Sequence, residues 1–393
     1  MIAISEGSAF GLENLPYGVF SAGGSTRRVC VRVGDSVVDL ALLLGDDVFA
    51  APTLNPFMAQ GPARWAAVRS RLVDLLSGPS PVPSAAVHEL GAVTLHLPFE
   101  VADYVDFYAS EHHAANLGRL FRPDAPPLPP NWKHLPVGYH GRAGTIVVSG
   151  TDIVRPRGQR RGLGDGPPEF GPSTRLDIEA ELGFVVGVGS ALGSSVPLES
   201  FASHVFGAVL VNDWSARDIQ SWEYVPLGPH LGKSFATSVS PWVVPMAALA
   251  AARVPLPDQE PTPLPYLRSP SLWGLDVDLE VSWNGEIVTR PPYRSMYWSP
   301  AQLLAHMTVN GASLRTGDLF ASGTVSGSLR AQRGAFIELT WGGAEPVVVQ
   351  GSPRTFLEDG DEVVISGSAP GLAGGRVGFG EVRGRILPPV SER

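Results

Sequence analysis

The chain has 393 residues, of which 44% are apolar and 17% charged, and its formal net charge at pH 7 is −9. Such a length predicts two domains, and the composition is that of a globular protein with enough apolar residues for a sizeable core. The negative charge argues against a nucleic-acid partner, because binding phosphate groups requires a basic surface. No run of about 18 apolar residues occurs, so we expect no membrane span.

The cysteine, glycine and proline contents narrow the class of protein further. Cys30 is the single cysteine, which excludes an intrachain disulfide and is compatible with a reducing cytoplasm. We expect it to be a small buried apolar residue. Segment 1–18 has no basic stretch followed by an apolar core, so we expect no signal peptide. The 45 glycines and 37 prolines are scattered, which predicts many turns between short strands and a mainly β fold.

The first predicted unit covers residues 1–98 and combines short strands with one helix. Arg28–Val33 alternates in part between apolar and polar residues, the period of a half-buried strand. Segment 65–76 has apolar residues at helical spacing, namely Val68, Leu72 and Leu75. Further strands are predicted at 37–40 and 92–97.

The second predicted unit covers residues 99–393 and consists mostly of strands joined by long loops. The best helix predictions are 110–121, with Ser110 as the N-cap, and 300–307. The proline-rich segment 255–265 is predicted to be a loop. The predicted strands are 145–148, 176–186, 207–211, 275–283, 336–341, 346–349, 361–365 and 376–384.

The strand predicted at 176–186 carries three acidic residues at alternate positions. Because alternate side chains of a strand share a face, Asp177, Glu179 and Glu181 are expected to lie together. A surface strand with an acidic outer face would give the same pattern. However, neighbouring carboxylates repel each other, and a hard divalent cation such as Mg²⁺ or Ca²⁺ would relieve that repulsion.

A second polar cluster, Asn212-Asp213, follows an apolar strand. Arg217 and Gln220 come next, at the spacing of neighbours on a helix. A carboxylate at a strand end and a polar pair one turn further on would complete a functional site. In the alternative interpretation, Asp213 or Ser215 is the N-cap of a helix whose outer face carries Arg217.

Two adjacent histidines, His112 and His113, lie in the predicted helix 110–121. Each is a candidate general base, because an unperturbed histidine has a pKa of about 6.5 and transfers protons at neutral pH. The alternative is a surface pair of histidines on a helix.

Lysine is rare in this chain, with only Lys133 and Lys233 among 29 lysines and arginines. Lys233 lies in a Gly-Lys-Ser segment, but Leu227 stands where a phosphate-binding loop requires its earlier glycine, so nucleotide binding is excluded. A lysine retained among so many arginines is a candidate for chemistry, and the alternative is a solvated surface lysine.

Taken together, these segments resemble the fumarylacetoacetase family. The resemblance extends over both predicted units and nearly the whole chain, and long ordered matches of this kind are highly specific. The matching segments are 15–21, 103–108, 130–142, 176–181, 212–220, 222–229, 233–235, 240–246 and 321–327.

The resemblance implies a mainly β fold, with a small SH3-like N-terminal barrel and a larger C-terminal domain built as a mixed β-sandwich roll. It also implies a homodimer, while the cytoplasm is the location expected from the single cysteine. By motif position, the ligands of Mg²⁺ or Ca²⁺ would be Asp106, Glu179, Glu181 and Asp213. Lys233 and Thr237 match positions associated with a further Mg²⁺ ion, although an ammonium group has no lone pair to offer a cation.

The resemblance also implies catalytic and substrate-binding roles. Through the family pattern His-Ala-x-Asn, His113 rather than His112 matches the catalytic base, and Glu338 matches its orienting partner. Arg217, Gln220 and Lys233 would stabilise negative charge that develops on the substrate oxygens. The implied substrate contacts are Tyr108, Arg122, Tyr139, Arg217, Gln220, Tyr224 and Thr324.

The implied reaction is the metal-dependent hydrolysis of a carbon–carbon bond in 4-fumarylacetoacetate, the last step of tyrosine and phenylalanine catabolism, which yields fumarate and acetoacetate. A related diketo-acid activity, that of an acylpyruvate hydrolase or a decarboxylase, is one alternative; the N-terminal unit and the His113/Glu338 pair count against it. The other alternative is a binding protein in which the carboxylates hold a structural Ca²⁺. In that protein His113 and Lys233 would have no necessary role.

Overall fold

The computed structural model describes residues 2–162 and 166–391. The start of the predicted unit 1–98 and the end of the predicted unit 99–393 therefore lie outside the described residues. The described helices are α1 (Leu40–Leu44), α2 (Asn55–Met58), α3 (Pro62–Ser77), α4 (Glu111–Phe121), α5 (Phe201–His204), α6 (Arg217–Glu223), α7 (Pro300–Thr308) and α8 (Phe336–Leu339). None of these helices combines the length and apolarity that crossing a bilayer demands. The helices predicted at 65–76, 110–121 and 300–307 are confirmed as α3, α4 and α7.

The N-terminal part of the chain forms a five-stranded antiparallel sheet with the order β4-β3-β2-β1-β5. Its strands are β1 (Tyr17–Ala22), β2 (Arg28–Val33), β3 (Ser36–Asp39), β4 (Val87–Glu89) and β5 (Val93–His96). Helix α3 contributes Val68, Leu72 and Leu76 to the adjoining core, and Cys30 is buried as expected.

Two larger sheets make up most of the remaining chain. One has eight strands, with the path β7-β6-β22-β13-β14-β16-β8 and β17 paired to β14; the other has the order β21-β20-β25-β26-β9. The strands are β6 (Tyr104–Phe107), β7 (Gly138–His140), β8 (Ile146–Val148), β9 (Ile153–Val154), β10 (Arg157–Arg160), β11 (Glu169–Pro172), β12 (Leu176–Asp177), β13 (Ala180–Val186), β14 (Val205–Asp213), β15 (Ser215–Ala216), β16 (Thr237–Val239), β17 (Val244–Pro245), β18 (Arg253–Val254), β19 (Gly274–Leu275), β20 (Asp278–Trp283), β21 (Glu286–Thr289), β22 (Leu319–Ala321), β23 (Val347–Val349), β24 (Ser352–Arg354), β25 (Glu362–Pro370) and β26 (Arg376–Leu387). The predicted mainly β class is thus confirmed.

Strand β14 is covered on both faces by hydrophobic core residues. All nine of its residues are buried, and most of them are apolar without a polar alternation, as expected for a strand covered on both sides. Phe206, Val209 and Val211 belong to the core shared with the N-terminal sheet. Ala208 and Leu210 belong to the core that includes residues of the second large sheet. The strand ends at Asp213, so the surrounding core fixes the position of this carboxylate.

The strand predicted at 176–186 is interrupted, which corrects the expectation of one continuous acidic face. β12 ends at Asp177 and β13 begins at Ala180. In between, side chains replace the strand ladder: Asp177 accepts the backbone N–H of Ile178, and Asn212 accepts that of Glu179. Asp177 is therefore separated from Glu179 and Glu181 by a break that alternation alone does not reveal.

The prediction of a strand at 336–341 is wrong, since residues Phe336–Leu339 form the short helix α8. All four of its residues are buried, so apolar and polar positions give no period that separates a helix from a strand.

Candidate active site

Neighbouring strands of the eight-stranded sheet bring polar side chains into one cavity. Asp106 on β6 is paired with Tyr139 on β7, and Asp213 at the end of β14 is paired with Thr237 on β16. Glu181 lies on β13, between those strand pairs in the sheet. The adjoining cavity has a volume of about 340 Å³ and is lined by Tyr104, Tyr139, Arg142, Asp213, His230, Lys233 and Thr237, among others.

Four buried carboxylates lie at this end of the sheet. Asp106, Glu179 and Asp213 each place one carboxylate oxygen within 4.8 Å of the others, an arrangement that fits a metal ion. Glu181 is 0% exposed, and neither of its carboxylate oxygens has a hydrogen-bond partner within the described chain. Burial, followed by the negative charge of Asp106, raises the pKa of Glu181 well above its ordinary value.

The chemistry of this set of oxygens fits a hard divalent cation. Burial and the charge of Asp213 raise the pKa of Asp106 well above its ordinary value, and one oxygen of Asp106 also lacks a partner within the described chain. Buried carboxylates of this kind are unfavourable unless they are paired or coordinated. Mg²⁺ and Ca²⁺ both prefer such ligands.

Lys233 is buried among the carboxylates, which excludes the alternative of a solvated surface lysine. Its side chain is 5% exposed, and Nζ donates a hydrogen bond to Asp213 Oδ2 at 2.9 Å and another to Glu179. Burial alone would lower the pKa of Lys233, but Asp213 and Glu179 outweigh it and raise the pKa above its ordinary value. The ammonium group therefore stays charged at neutral pH. Thr237 Oγ1 donates to the other oxygen of Asp213 at 2.7 Å.

His113 and Glu338 form a buried pair beside the carboxylates. His113 Nδ1 lies 2.6 Å from Glu338 Oε2, and His113 Nε2 lies 3.7 Å from Glu179 Oε1. Asn116 and Ser326 also donate to Glu338, both at 2.9 Å. Burial alone would raise the pKa of Glu338, but His113 and these hydrogen bonds lower it below its ordinary value. Glu338 is thus an ionised acceptor that orients the imidazole ring.

Arg217 connects the carboxylates to helix α6. It is 1% exposed and pairs through Nη1 with Glu179 at 2.8 Å and with Gln220 Oε1 at 3.1 Å. Its Nη2 is buried without a hydrogen-bond partner within the described residues. The Nη2 group of Arg217 is therefore a donor to which no described residue is hydrogen-bonded.

The residues expected to contact a substrate have different surroundings. Tyr139 donates from its hydroxyl to Asp213 at 3.1 Å, while Tyr108 packs edge-on against His113 with ring centroids 5.3 Å apart. Arg122 caps the C-terminus of α4, and Tyr224 lies next to the same helix end through its contact with Phe121. Thr324 is buried, and its hydroxyl has no hydrogen-bond partner within the described chain.

Sequence reasoning missed several polar residues at the site, including the following three. Tyr104 lines the cavity with a hydroxyl that has no partner within the described chain, and Asn116 and Ser326 hold Glu338. Two of them left a signal in the sequence. Tyr104 precedes Asp106 by two residues on a strand and therefore shares its face, and Asn116 follows His113 at helical i, i+3 spacing.

The chain matches known proteins over nearly its whole length. Residues 13–98 match the family model for the fumarylacetoacetase N-terminal region, and residues 103–387 match that for the fumarylacetoacetate hydrolase C-terminal region. The fumarylacetoacetases of Rattus norvegicus and Homo sapiens are 47% and 46% identical to it, and each alignment covers 99% of both chains. That of Arabidopsis thaliana is 45% identical over 98% of both chains.

More distant solved structures share the fold. A fumarylacetoacetate hydrolase from the psychrophile Exiguobacterium antarcticum is 17% identical, with a TM-score of 0.58 over 95% of this chain and 99% of its own. A maleylpyruvate hydrolase from Sphingobium sp. SYK-6, solved with manganese(II) and pyruvate, is 16% identical, with a TM-score of 0.54 over 96% of this chain and 100% of its own.

Proposed function

The chain belongs to the fumarylacetoacetate hydrolase family, and from this we propose that it hydrolyses 4-fumarylacetoacetate to fumarate and acetoacetate. The observation that carries the proposal is the buried His113–Glu338 pair, which lies against a cluster of buried carboxylates. The pair supplies an oriented base, and the cluster supplies ligands for a Lewis acid.

The reaction breaks the bond between the fumaryl carbonyl carbon and the methylene carbon of the acetoacetate part. The oxygen of water joins the carbonyl carbon, which becomes the second carboxylate of fumarate. The electron pair of the broken bond stays on the acetoacetate carbon, which takes up a proton. A bound divalent cation would polarise the substrate oxygens and so lower the cost of the carbanion-like leaving group.

In this proposal His113 is the general base that takes a proton from water. Its Nδ1–H donates to the ionised Glu338, which leaves the lone pair of Nε2 directed to the side of Glu179. Glu338 thereby fixes the tautomer and stabilises the imidazolium that forms, the arrangement of a base with an orienting partner.

Three cationic or polar side chains would stabilise negative charge on the substrate oxygens. Arg217 offers its unpaired Nη2 group, Lys233 its ammonium and Gln220 its amide. The proposed contacts to the rest of the substrate are Tyr108, Arg122, Tyr139, Tyr224 and Thr324.

We propose Mg²⁺ or Ca²⁺ as the bound cation, with Asp106, Glu179, Glu181 and Asp213 as its ligands. Their buried, partly unpartnered oxygens support this assignment. Lys233 and Thr237 remain predictions as contacts of a further Mg²⁺ ion; in the structure both donate hydrogen bonds to Asp213.

The homodimer, the cytoplasmic location, the place in tyrosine and phenylalanine catabolism, and the division at residues 98 and 99 belong to the proposal as well. The separate N-terminal sheet and the two matching family models support the division. Sedimentation of the purified chain would test the dimer.

The proposal is tested by following the absorbance loss of fumarylacetoacetate and, in parallel, of an acylpyruvate. We expect a far higher kcat/KM for fumarylacetoacetate and loss of turnover after treatment with a chelator. A preference for the acylpyruvate would instead support the related diketo-acid activity.

A further inference from the structure

Asp177 is fully buried and accepts four hydrogen bonds, two on each carboxylate oxygen. Oδ1 accepts the backbone N–H groups of Ile178 and Phe336, both at 2.7 Å. Oδ2 accepts Arg217 Nε at 2.8 Å and the backbone N–H of Ile337 at 3.0 Å. Two hydrogen bonds per oxygen fill the lone-pair sites of a carboxylate. Asp177 therefore has no lone pair left for a metal ion or a substrate.

These bonds join two parts of the proposed catalytic machinery. Arg217 begins helix α6 and pairs with Glu179, so Asp177 fixes the guanidinium that faces the carboxylate cluster. Phe336 and Ile337 begin helix α8, which carries Glu338, the partner of His113. One buried carboxylate thus sets the position of a charge-stabilising group and of the residue that orients the base.

We infer that Asp177 is a positioning residue for the proposed hydrolysis, which holds Arg217 and the Glu338–His113 pair in register with each other. The inference rests on the proposed function. Charge-assisted hydrogen bonds of this kind are short and directional, so they define geometry more strictly than neutral ones. Catalytic groups tolerate displacements of only a fraction of an ångström, since a misplacement of about 1 Å costs on the order of 10²-fold in rate.

The variant Asp177→Asn is the most direct test of this positioning role. Whichever way the new amide is turned, its NH₂ group faces two N–H donors, so the two bonds on that side are lost. We expect kcat to fall by about 10- to 100-fold, the usual effect of losing a group that orients a site. KM and metal content should change far less than kcat, because Asp177 neither lines the cavity nor belongs to the metal cluster.

Asp361→Asn is the matched control. Asp361 is 3% exposed and likewise accepts from a backbone N–H, that of Glu358 at 2.8 Å, and from an arginine, Arg354 at 3.1 Å. A merely structural role for Asp177 predicts that both variants lose stability while kcat, measured well below their melting temperatures, stays at the wild-type value.

Coupling to Glu338 separates positioning from general destabilisation. If Asp177 acts through helix α8, the double variant Asp177→Asn/Glu338→Gln should have nearly the kcat of the slower single variant. If the two residues acted independently, the kcat losses of Asp177→Asn and Glu338→Gln would multiply, and the control Asp361→Asn should leave the kcat of Glu338→Gln unchanged. Should Asp177→Asn not fold, Asp177→Ser takes its place, because a hydroxyl can accept from the start of α8 but cannot pair with Arg217.

These experiments distinguish failure of the proposed function from failure of this inference. A wild-type chain without turnover overturns the proposed function and this inference with it. Wild-type turnover with a normal kcat in the Asp177 variant, or with losses that multiply with those of Glu338→Gln, overturns the inference alone.

Discussion

At the scale of single residues, the two neighbouring histidines of α4 have different surroundings. His113 is buried against Glu338 and Glu179, whereas His112 is only half-buried. We expect His113→Ala to lower kcat by about 10²- to 10⁴-fold, the usual contribution of a general base, with metal binding intact. Steady-state kinetics of His113→Ala and of the control His112→Ala measure this. Turnover near the wild-type rate in His113→Ala would show that His113 is not the general base.

Asp213 is a proposed metal ligand that also accepts hydrogen bonds from three side chains. It accepts from Tyr139, Lys233 and Thr237 and belongs to the cluster with Asp106 and Glu179. We expect Asp213→Ala to reduce the metal content of the purified protein, because one of few anionic ligands is lost. Elemental analysis measures this, with Asp218→Ala as the control, since Asp218 bonds to Ser173 and Thr174 outside the cluster. Full occupancy in Asp213→Ala would exclude Asp213 as a ligand.

The sequence predicted much of the chemistry at this scale, though not every partner. Asp213, Arg217 and Gln220 were recognisable because each lies at a strand end or at helical spacing. The pairing of His113 with Glu338 spans 225 positions, and no local period encodes it. Only the family resemblance related the two residues, and the structure supplies the contact.

At the scale of elements, helix α4 packs closely against the backbone at Pro127 because residue 118 is a glycine. A Cβ added to Gly118 would lie 1.8 Å from the backbone oxygen of Pro127, so the helix or the loop would have to shift. We expect Gly118→Ala to lower the free energy of unfolding by about 1–3 kcal/mol and to lower kcat as well, because α4 carries His113. Gly91→Ala is the control, since no atom lies within 4 Å of its added Cβ. Thermal unfolding and kcat together measure this, and an unaffected Gly118→Ala would contradict the proposed close packing.

The elements that the sequence mispredicted lie next to the site. Segment 336–341 is predicted to be a strand, yet the backbone N–H groups of Phe336 and Ile337 donate to Asp177 and these residues begin helix α8. The break between Asp177 and Ala180 likewise arises from side chains that replace ladder hydrogen bonds. Such substitutions depend on tertiary partners, so local period and propensity do not reveal them.

At the scale of the whole molecule, the N-terminal sheet completes the core under the site. Tyr17, Phe57 and Trp65 from the N-terminal part pack against Phe206 of β14, with ring centroids 5.3 to 5.7 Å apart. The sequence predicted the two units and the mainly β class from turn residues and strand periods. It did not predict that β14 is covered on both faces, because the pairing of distant strands is not visible in a local pattern.

The central claim is that the whole chain, loaded with a divalent cation, hydrolyses fumarylacetoacetate. The most direct measurement quantifies the products formed by the wild-type protein before chelation, after chelation and after Mg²⁺ or Ca²⁺ is restored. The account predicts fumarate and acetoacetate in equal amounts, their loss after chelation and their return with the metal. Release of carbon dioxide in place of fumarate, or product formation that chelation does not change, would contradict it.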